Sequence, residues 1–190
     1  MASLSTSPLV KTYSLEEFWE LPDPPDRSKL ELIAGVLYMT PPPEYTHDNT
    51  VSRLNRLLTR HLDATGDKGW LHLPRAAIWT GPNTHLEPDL FYNSAELERK
   101  QKHLSHRNTA DLVIEVVSPG SAIYDRNTKA EAYFALGVRE LWLVNEVAQT
   151  VEVRVRAGDE IVRSIFSGDD SLTSTVLPKL ALPVLSILND

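Results

Sequence analysis

Apolar positions recur along the chain with two different periods, and the alternation between them outlines the fold. Ser14-Leu-Glu-Glu17 has the form of a capping box followed by Leu15, Phe18 and Trp19 at helical spacing, which predicts a short helix ending before Pro22-Asp-Pro-Pro25. Leu30 to Thr40 is rich in strand formers, with Gly35 as a turn or bulge and Pro41-Pro-Pro43 as the stop; it reads as a strand pair or one bent strand. From Thr46 to Leu62 the period lengthens: Val51, Leu54, Leu58 and Leu62 share one stripe of an amphipathic helix, while Arg53, Arg56 and Arg60 form a basic outer edge.

Short apolar runs then return, at Trp70–Leu73, Ala76–Trp79 and Leu86–Tyr92, separated by Gly and Pro signals that suit strands. After a polar, basic stretch from Asn93 to Thr109, Asp111-Leu-Val-Ile-Glu-Val-Val117 is apolar on both faces apart from its acids, as a central strand covered on both sides must be. Ser118-Pro-Gly-Ser121 breaks it, Asp125 to Leu136 reads as a helix with Gly137 beyond its end, and Leu141-Trp-Leu-Val144 is a second buried strand. Strand, helix and strand of these lengths predict a parallel crossover. Strands at Val151–Val155 and Ile161–Phe166, joined through Ala157-Gly158-Asp159, predict an appended hairpin. Without a repeat or a long linker, the pattern predicts one α/β domain over residues 1–190, with a core at about 13–155 and C-terminal strands at 151–190.

Composition narrows the function classes. The 190 residues include no cysteine, which excludes disulfides and thiolate metal sites, and the 42% hydrophobic content is enough for a real core. With 19 basic against 26 acidic residues, a formal charge of -7 and a pI near 5.4, the chain as a whole repels a polyanion. Contact with nucleic acid therefore requires a local basic patch or a bound cation, which disfavours a protein that coats a duplex but is compatible with a nuclease. The N-terminal residues lack a basic and apolar leader pattern, and no run approaches the roughly 18 apolar residues of a membrane span; a cytoplasmic protein without membrane contact is expected.

Glu115 carries the most chemical information. An ionised carboxylate within an apolar strand is costly unless a cation or donor meets it. Asp89, in Leu86-Glu-Pro-Asp-Leu-Phe-Tyr92, is a second acid in apolar surroundings, and Pro88 marks its strand as an edge or a bulge. Two such carboxylates on neighbouring strands repel unless they share a metal ion, and hard oxygen ligands favour Mg²⁺ or Mn²⁺ together with a substrate phosphate. A loop Asp89 and a Glu115 paired with a buried base is an equally open alternative. Lys129 follows in the next helix, sharing a face with Asp125 and Tyr133; it either reaches the carboxylates or forms an i,i+4 surface pair with Asp125.

Glu31-Leu-Ile-Ala-Gly35, Glu87-Pro-Asp89, Glu115-Val-Val-Ser-Pro119, Asp125-Arg126 with Lys129 and Tyr133, and Gly137-Val-Arg-Glu-Leu-Trp-Leu-Val-Asn145 follow one another in an order and spacing that resembles the Uma2 (DUF820) family. That family is assigned to the PD-(D/E)XK restriction-endonuclease-like superfamily. The resemblance runs from about Tyr13 to Val155 and on to the Leu177–Pro183 segment. It implies a mixed central sheet flanked by helices and a metal-dependent endonuclease acting on phosphodiester bonds. By the same resemblance Asp89, Glu115 and the Val116 carbonyl hold Mg²⁺ or Mn²⁺, Lys129 positions the attacking water, Glu31 joins the metal shell or ties down the lysine, and Asp125 orients it. His47 falls where the family commonly carries a histidine. Two departures stand out: Val117 occupies the usual lysine position, so Lys129 from the following helix must serve, and Val36 follows Gly35 where an acid is common.

Three other readings fit the residues. One is a catalytically inactive nuclease-fold module that binds nucleic acid or a protein. Another is a transition-metal site of His85, Glu87 and Asp89 alternating along one strand. The third, Ser118 as a nucleophile, lacks the Gly-x-Ser-x-Gly turn. For substrate, expected to be DNA, two basic clusters are candidates: Arg53, Arg56 and Arg60, and Arg99, Lys100 and Lys102 with His103, His106 and Arg107; either is also compatible with a solvated face. A homodimer is expected by analogy with nucleases of this fold, because two strands require two sites.

Overall fold

In a computed structural model, which describes residues 11–118 and 125–189, the helix start at Ser14 forms as a reciprocal cap. The Ser14 hydroxyl accepts from the Glu17 amide at 3.2 Å and the Glu17 carboxylate accepts from the Ser14 amide at 2.9 Å, opening α1 (Leu15–Trp19). The Leu30–Thr40 run is a strand pair, β1 (Lys29–Ile33) and β2 (Val36–Thr40). Ala34 and Gly35 both take positive φ, 48° and 82°, which is the turn that matches the twist of a two-residue hairpin.

Next comes α2 (Tyr45–Thr65), closed by Gly66 in the left-handed conformation, then β3 (Trp70–His72), β4 (Ile78–Thr80), β5 (Thr84–Leu86), β6 (Leu90–Asn93), α3 (Ala95–Gln101) and β7 (Leu112–Val116). A single π-helical turn (Asp125–Lys129) leads into α4 (Ala130–Ala135). Then follow β8 (Glu140–Asn145), β9 (Thr150–Ala157), β10 (Glu160–Ser167), β11 (Ser171–Thr173), β12 (Ala181–Pro183) and α5 (Val184–Leu188). No helix among the described residues is long and apolar enough to cross a membrane. Part of the Ser118–Ser121 break and the side chains of Asp125 and Arg126 lie outside the described residues.

The strands form a six-stranded sheet in the order β10-β9-β8-β7-β6-β3, a four-stranded sheet in the order β2-β1-β5-β4, and a small β11-β12 pair. In the large sheet β7 and β8 are parallel, as the crossover pattern predicts, and the other neighbours are antiparallel. Two sequence expectations need correction. The β9–β10 hairpin is not an appendage: β9 pairs with β8 over six residues, so the hairpin extends the main sheet to its edge. Leu86–Tyr92 is not one strand either. Its first residue ends β5 in the small sheet, its last three lie in β6 of the large one, and Glu87-Pro88-Asp89 is the crossing between them. Pro88 has no amide hydrogen for either ladder, which suits it to the gap.

The large sheet divides the apolar interior in two. Leu112, Ile114 and Val116 of β7 face a core that includes Leu54 and Leu58 of α2 together with Val184 and Ile187 of α5. Val113 and Val117 face the other way, toward Ala130, Tyr133 and Phe134 of α4 and toward Ile33, Ile78 and Leu86 of the small sheet. Because strand side chains alternate, Glu115 shares the second face with Val113 and Val117, beneath α4 and the small sheet.

Close packing leaves little space at Gly69, where a Cβ would run into the Tyr92 ring and hydroxyl, itself bonded to Asp67 at 2.8 Å. Gly69→Ala is expected to lower unfolding stability by about 1–3 kcal/mol, as overpacking does. Urea denaturation checks this, and an unchanged midpoint would show that Tyr92 can yield without cost.

Candidate active site

Four elements deliver the buried polar groups that sequence analysis singled out, and the structure brings them to one place. Glu31 comes from β1 of the small sheet, Asp89 from the crossing segment, Glu115 from β7, and Lys129 from the turn that opens α4. Lys129 is 2% exposed, so it does not stand on a solvated face. Its ammonium lies 2.6 Å from Glu115 Oε1 and 3.2 Å from Glu31 Oε2. The second contact is an ion pair without hydrogen-bond alignment, while Glu31 Oε1 accepts from the Glu87 amide at 2.8 Å. Tyr133, one turn further along α4, donates its hydroxyl to Glu115 Oε1 at 2.5 Å. Burial, then the Glu115 charge, pushes that hydroxyl well above the usual tyrosine range, so it remains a donor at any ordinary pH.

Asp89 is held by a second set of contacts. Its Oδ2 accepts from the Val116 amide at 2.8 Å and lies 3.1 Å from His47 Nε2, and its Oδ1 is 4.0 Å from the ammonium of Lys29. Burial alone would raise the Asp89 pKa, but the bond to His47 and the charges of Lys29, His47 and Lys129 outweigh it and hold the carboxyl far below the usual range. His47 moves the other way. Burial would lower its pKa, yet the bond to Asp89 and the charges of Asp89, Asp48 and Glu115 leave it raised above 6.5. Thr50, one turn along α2, donates to Glu146 at 2.7 Å and so anchors the helix end that presents His47.

Lys29 was not visible as a site residue in the sequence. Its signal is its position two residues before Glu31 on β1, which puts both on one side of that strand. The ammonium donates to the Glu87 carbonyl at 2.7 Å, so one lysine ties the crossing segment to β1 beside Asp89.

The donor set suits a hard divalent cation. Two carboxylates, one kept strongly ionised, belong to one cluster of interacting charges, and the Val116 carbonyl points to the Asp89 side of β7. The reason is alternation: Val117 directs its amide to Val144 of β8, so the peptide groups of Val116 face the opposite neighbour. Among the described residues no three imidazole or carboxylate groups lie together closely enough to hold a metal ion by themselves.

The remaining candidates lie elsewhere. His85 ends up on β5, its ring 4.9 Å from that of Phe18, and the sheet change at Pro88 separates it from Asp89, which undoes the alternating His-Glu-Asp arrangement. Arg53 is not on an outer edge: it is buried, and its guanidinium donates to the Ile187 carbonyl of α5 at 2.7 Å. Arg56 and Arg60 are exposed, and with Arg53, Leu57, Leu185, Ser186 and Asn189 they line an open cleft of about 650 Å³ between α2 and α5. Arg99, Lys100 and Lys102 are exposed on and after α3, Lys100 pairing with Glu96 at 2.7 Å. Arg107 bonds His72 and Glu98, and His106 stacks on Trp79.

A model of the Uma2 family, described as "Putative restriction endonuclease", matches residues 15–185. Among solved structures, one titled "putative nuclease belonging to DUF820" from Anabaena variabilis superimposes with a TM-score of 0.73 at 20% identity, covering 93% of this chain and 97% of that one. At that identity the likeness speaks to the fold. No curated protein matches the chain.

The His47–Asp89 pair sets a pH window. A raised histidine pKa contributes stability that is complete below 6.5 and lost as pH rises through the folded value; a depressed aspartate pKa contributes stability that is complete above 3.8 and lost as pH falls through its own folded value. Thermal melts on both sides of pH 6.5 should therefore show an alkaline loss in the wild type that His47→Gln removes. Taking the difference between the two proteins cancels His72 and His85, whose burial lowers their pKa values. Identical slopes would mean that the imidazole carries no proton in this contact.

Proposed function

The chain belongs to the Uma2 family, and from that premise we propose that it is a divalent-metal-dependent endonuclease, hydrolysing phosphodiester bonds of DNA with Asp89, Glu115 and Lys129 at the reacting centre. One observation carries this reading. The lysine missing two residues after Glu115, where Val117 stands, is replaced in space by Lys129, whose ammonium meets Glu115 at 2.6 Å from the following helix.

Asp89, Glu115 and the Val116 carbonyl would hold Mg²⁺ or Mn²⁺. Such an ion supplies Lewis acidity, polarising a phosphoryl oxygen and acidifying water. The protein's own groups do the rest. Tyr133 and Lys129 both bond Glu115 Oε1 and so fix the carboxylate's rotation. Glu31, anchored on the Glu87 amide, holds one side of the Lys129 ammonium in place. That ammonium orients a water and offsets negative charge as it builds on the phosphate in the transition state. His47 and Lys29 balance the Asp89 charge, which keeps the carboxylate ionised where burial alone would neutralise it.

The surface supports contact with a phosphate backbone on one side. Arg56 and Arg60 extend along α2 from the His47 end, and Arg60 lies about 20 Å from His47 along the helix axis. With Arg99, Lys100 and Lys102 on the second patch, these side chains would position a backbone without reading sequence. Binding should then weaken steeply with salt.

A second reading, an inactive nuclease-fold binding module, is favoured by one specific feature. Lys129 already satisfies two acids, and a cluster closed on itself can serve as a structural network. Incubation of plasmid and single-stranded DNA with Mg²⁺ or Mn²⁺ separates the two. Asp89→Asn, Glu115→Gln and Lys129→Met should each lower cleavage by about 100-fold or more if the groups act on the transition state. Circular dichroism accompanies the assay, because breaking a buried pair can cost about 3–5 kcal/mol of stability. Folded variants that cleave as fast as the wild type would sink the assignment. A wild type that neither cleaves nor gains thermal stability from Mn²⁺ would favour the module.

A further inference from the structure

The two edges of the large sheet are unlike. β3 closes one end with three residues, which is how proteins blunt an edge. At the other end β10 runs for eight residues, Glu160–Ser167, with no proline and a single basic residue, Arg163. Its side chains are exposed on both faces: Val162 is 51% and Ile165 67% accessible. The unused backbone groups can be assigned. The hairpin turns through Gly158, at φ 66°, and Asp159, so the turn's own bond joins Ala157 and Glu160, and the even-numbered residues of β10 bond to β9. Ile161, Arg163 and Ile165 therefore direct their amides and carbonyls outward. The ladder ends at Ser167, whose amide is taken by Asp170 at 2.8 Å.

We infer that β10 is a homodimer interface, pairing antiparallel with β10 of a second copy about a two-fold axis at Ser164. The commitment to a second copy rests on register. A two-fold axis that makes neighbouring strands antiparallel stands perpendicular to the sheet and preserves its faces, so opposed residue numbers must sum to an even value. Only two such registers pair most of the strand. Centred on Arg163, the pairing sets two guanidiniums opposite each other, which is destabilising. Centred on Ser164, it sets Val162 against Phe166 twice, on the face covered by α2 and α5, and places Arg163 beside Ile165 on the other. Ser164 meets itself. In that register the outward groups of Arg163 and Ile165 bond each other, while the Val162–Phe166 and Ser164–Ser164 pairs are of the closer, non-hydrogen-bonded kind. Val162 is then matched with an apolar neighbour, Ile165 lies along the aliphatic stem of Arg163, and the two guanidiniums are no longer directly opposite. This interface does not depend on the nuclease reading.

Because the chain has no cysteine, single substitutions report on the axis directly. The Ser164 Cα atoms of the two copies should be about 4.5 Å apart, within disulfide reach, whereas Val162 lies four residues away from its own counterpart. Sedimentation of the wild type at micromolar concentration should give a dimer. Ser164→Cys should cross-link under mild oxidation and Val162→Cys should not. Ile165→Pro removes an amide that only the second copy uses, so it should sediment as a monomer with its thermal unfolding retained. A monomeric wild type would overturn the inference, and so would equal cross-linking at 162 and 164, or an Ile165→Pro protein that is folded and still dimeric.

Discussion

One ammonium group holds three parts of the molecule together. Lys129 enters from the turn before α4 and is buried between Glu115 of the large sheet and Glu31 of the small one. Neutral donors share the load on the two acids: the Tyr133 hydroxyl bonds Glu115 and the Glu87 amide bonds Glu31. The arrangement of helix and sheets is thus constrained by charge as well as by the apolar contacts around it. Glu140 shows the contrast. It is equally buried, but its oxygens are satisfied by the Trp142 indole and by the Thr175 amide and hydroxyl, all neutral donors, and it needs no cation.

The crossing segment Glu87–Asp89 does the complementary work. It carries the chain from one sheet to the other and is tied to both: Glu31 accepts from the Glu87 amide, Lys29 donates to the Glu87 carbonyl, and the Asp89 carboxylate meets the Val116 amide, His47 and Lys29. A residue without an amide hydrogen, Pro88, sits where neither ladder could have used one. The place where regular structure stops is also where the strongly ionised carboxylate is displayed.

Much of this could be read from the chain. The capped first helix, the β1–β2 hairpin, α2, the buried β7 and β8 and the β9–β10 hairpin all have periods that only one kind of element satisfies. What failed did so for stated reasons. Alternation continues through Leu86–Tyr92 although the strand changes sheets, because side-chain period records which face is apolar and not which neighbour is paired. Arg53 shares a stripe with Arg56 and Arg60, but a carbonyl 134 residues away captures it, and helical periodicity carries no information about α5. Lys129 had a local partner four residues before it, so its distant partners were no more than one of two options. Lys29 offered only its position two residues before Glu31, and a lysine at a strand start is ordinary. Glu115 stood out by its setting, yet Glu140 and Glu152 are also buried strand acids with structural partners, so burial of an acid alone does not mark a site.

The division of the cluster between two sheets has a mechanical consequence. Glu31 belongs to the small sheet, Glu115 and the Val116 amide belong to the large one, and Asp89 ends the strap between them, one residue before β6. The Lys129–Glu31 contact is therefore the charged tie between the two layers, and any separation of them would have to break it. The amide of Val116, at the end of a central strand, is capped by a side chain and not by a neighbouring strand, so the last rung of that ladder is made by the proposed metal ligand itself.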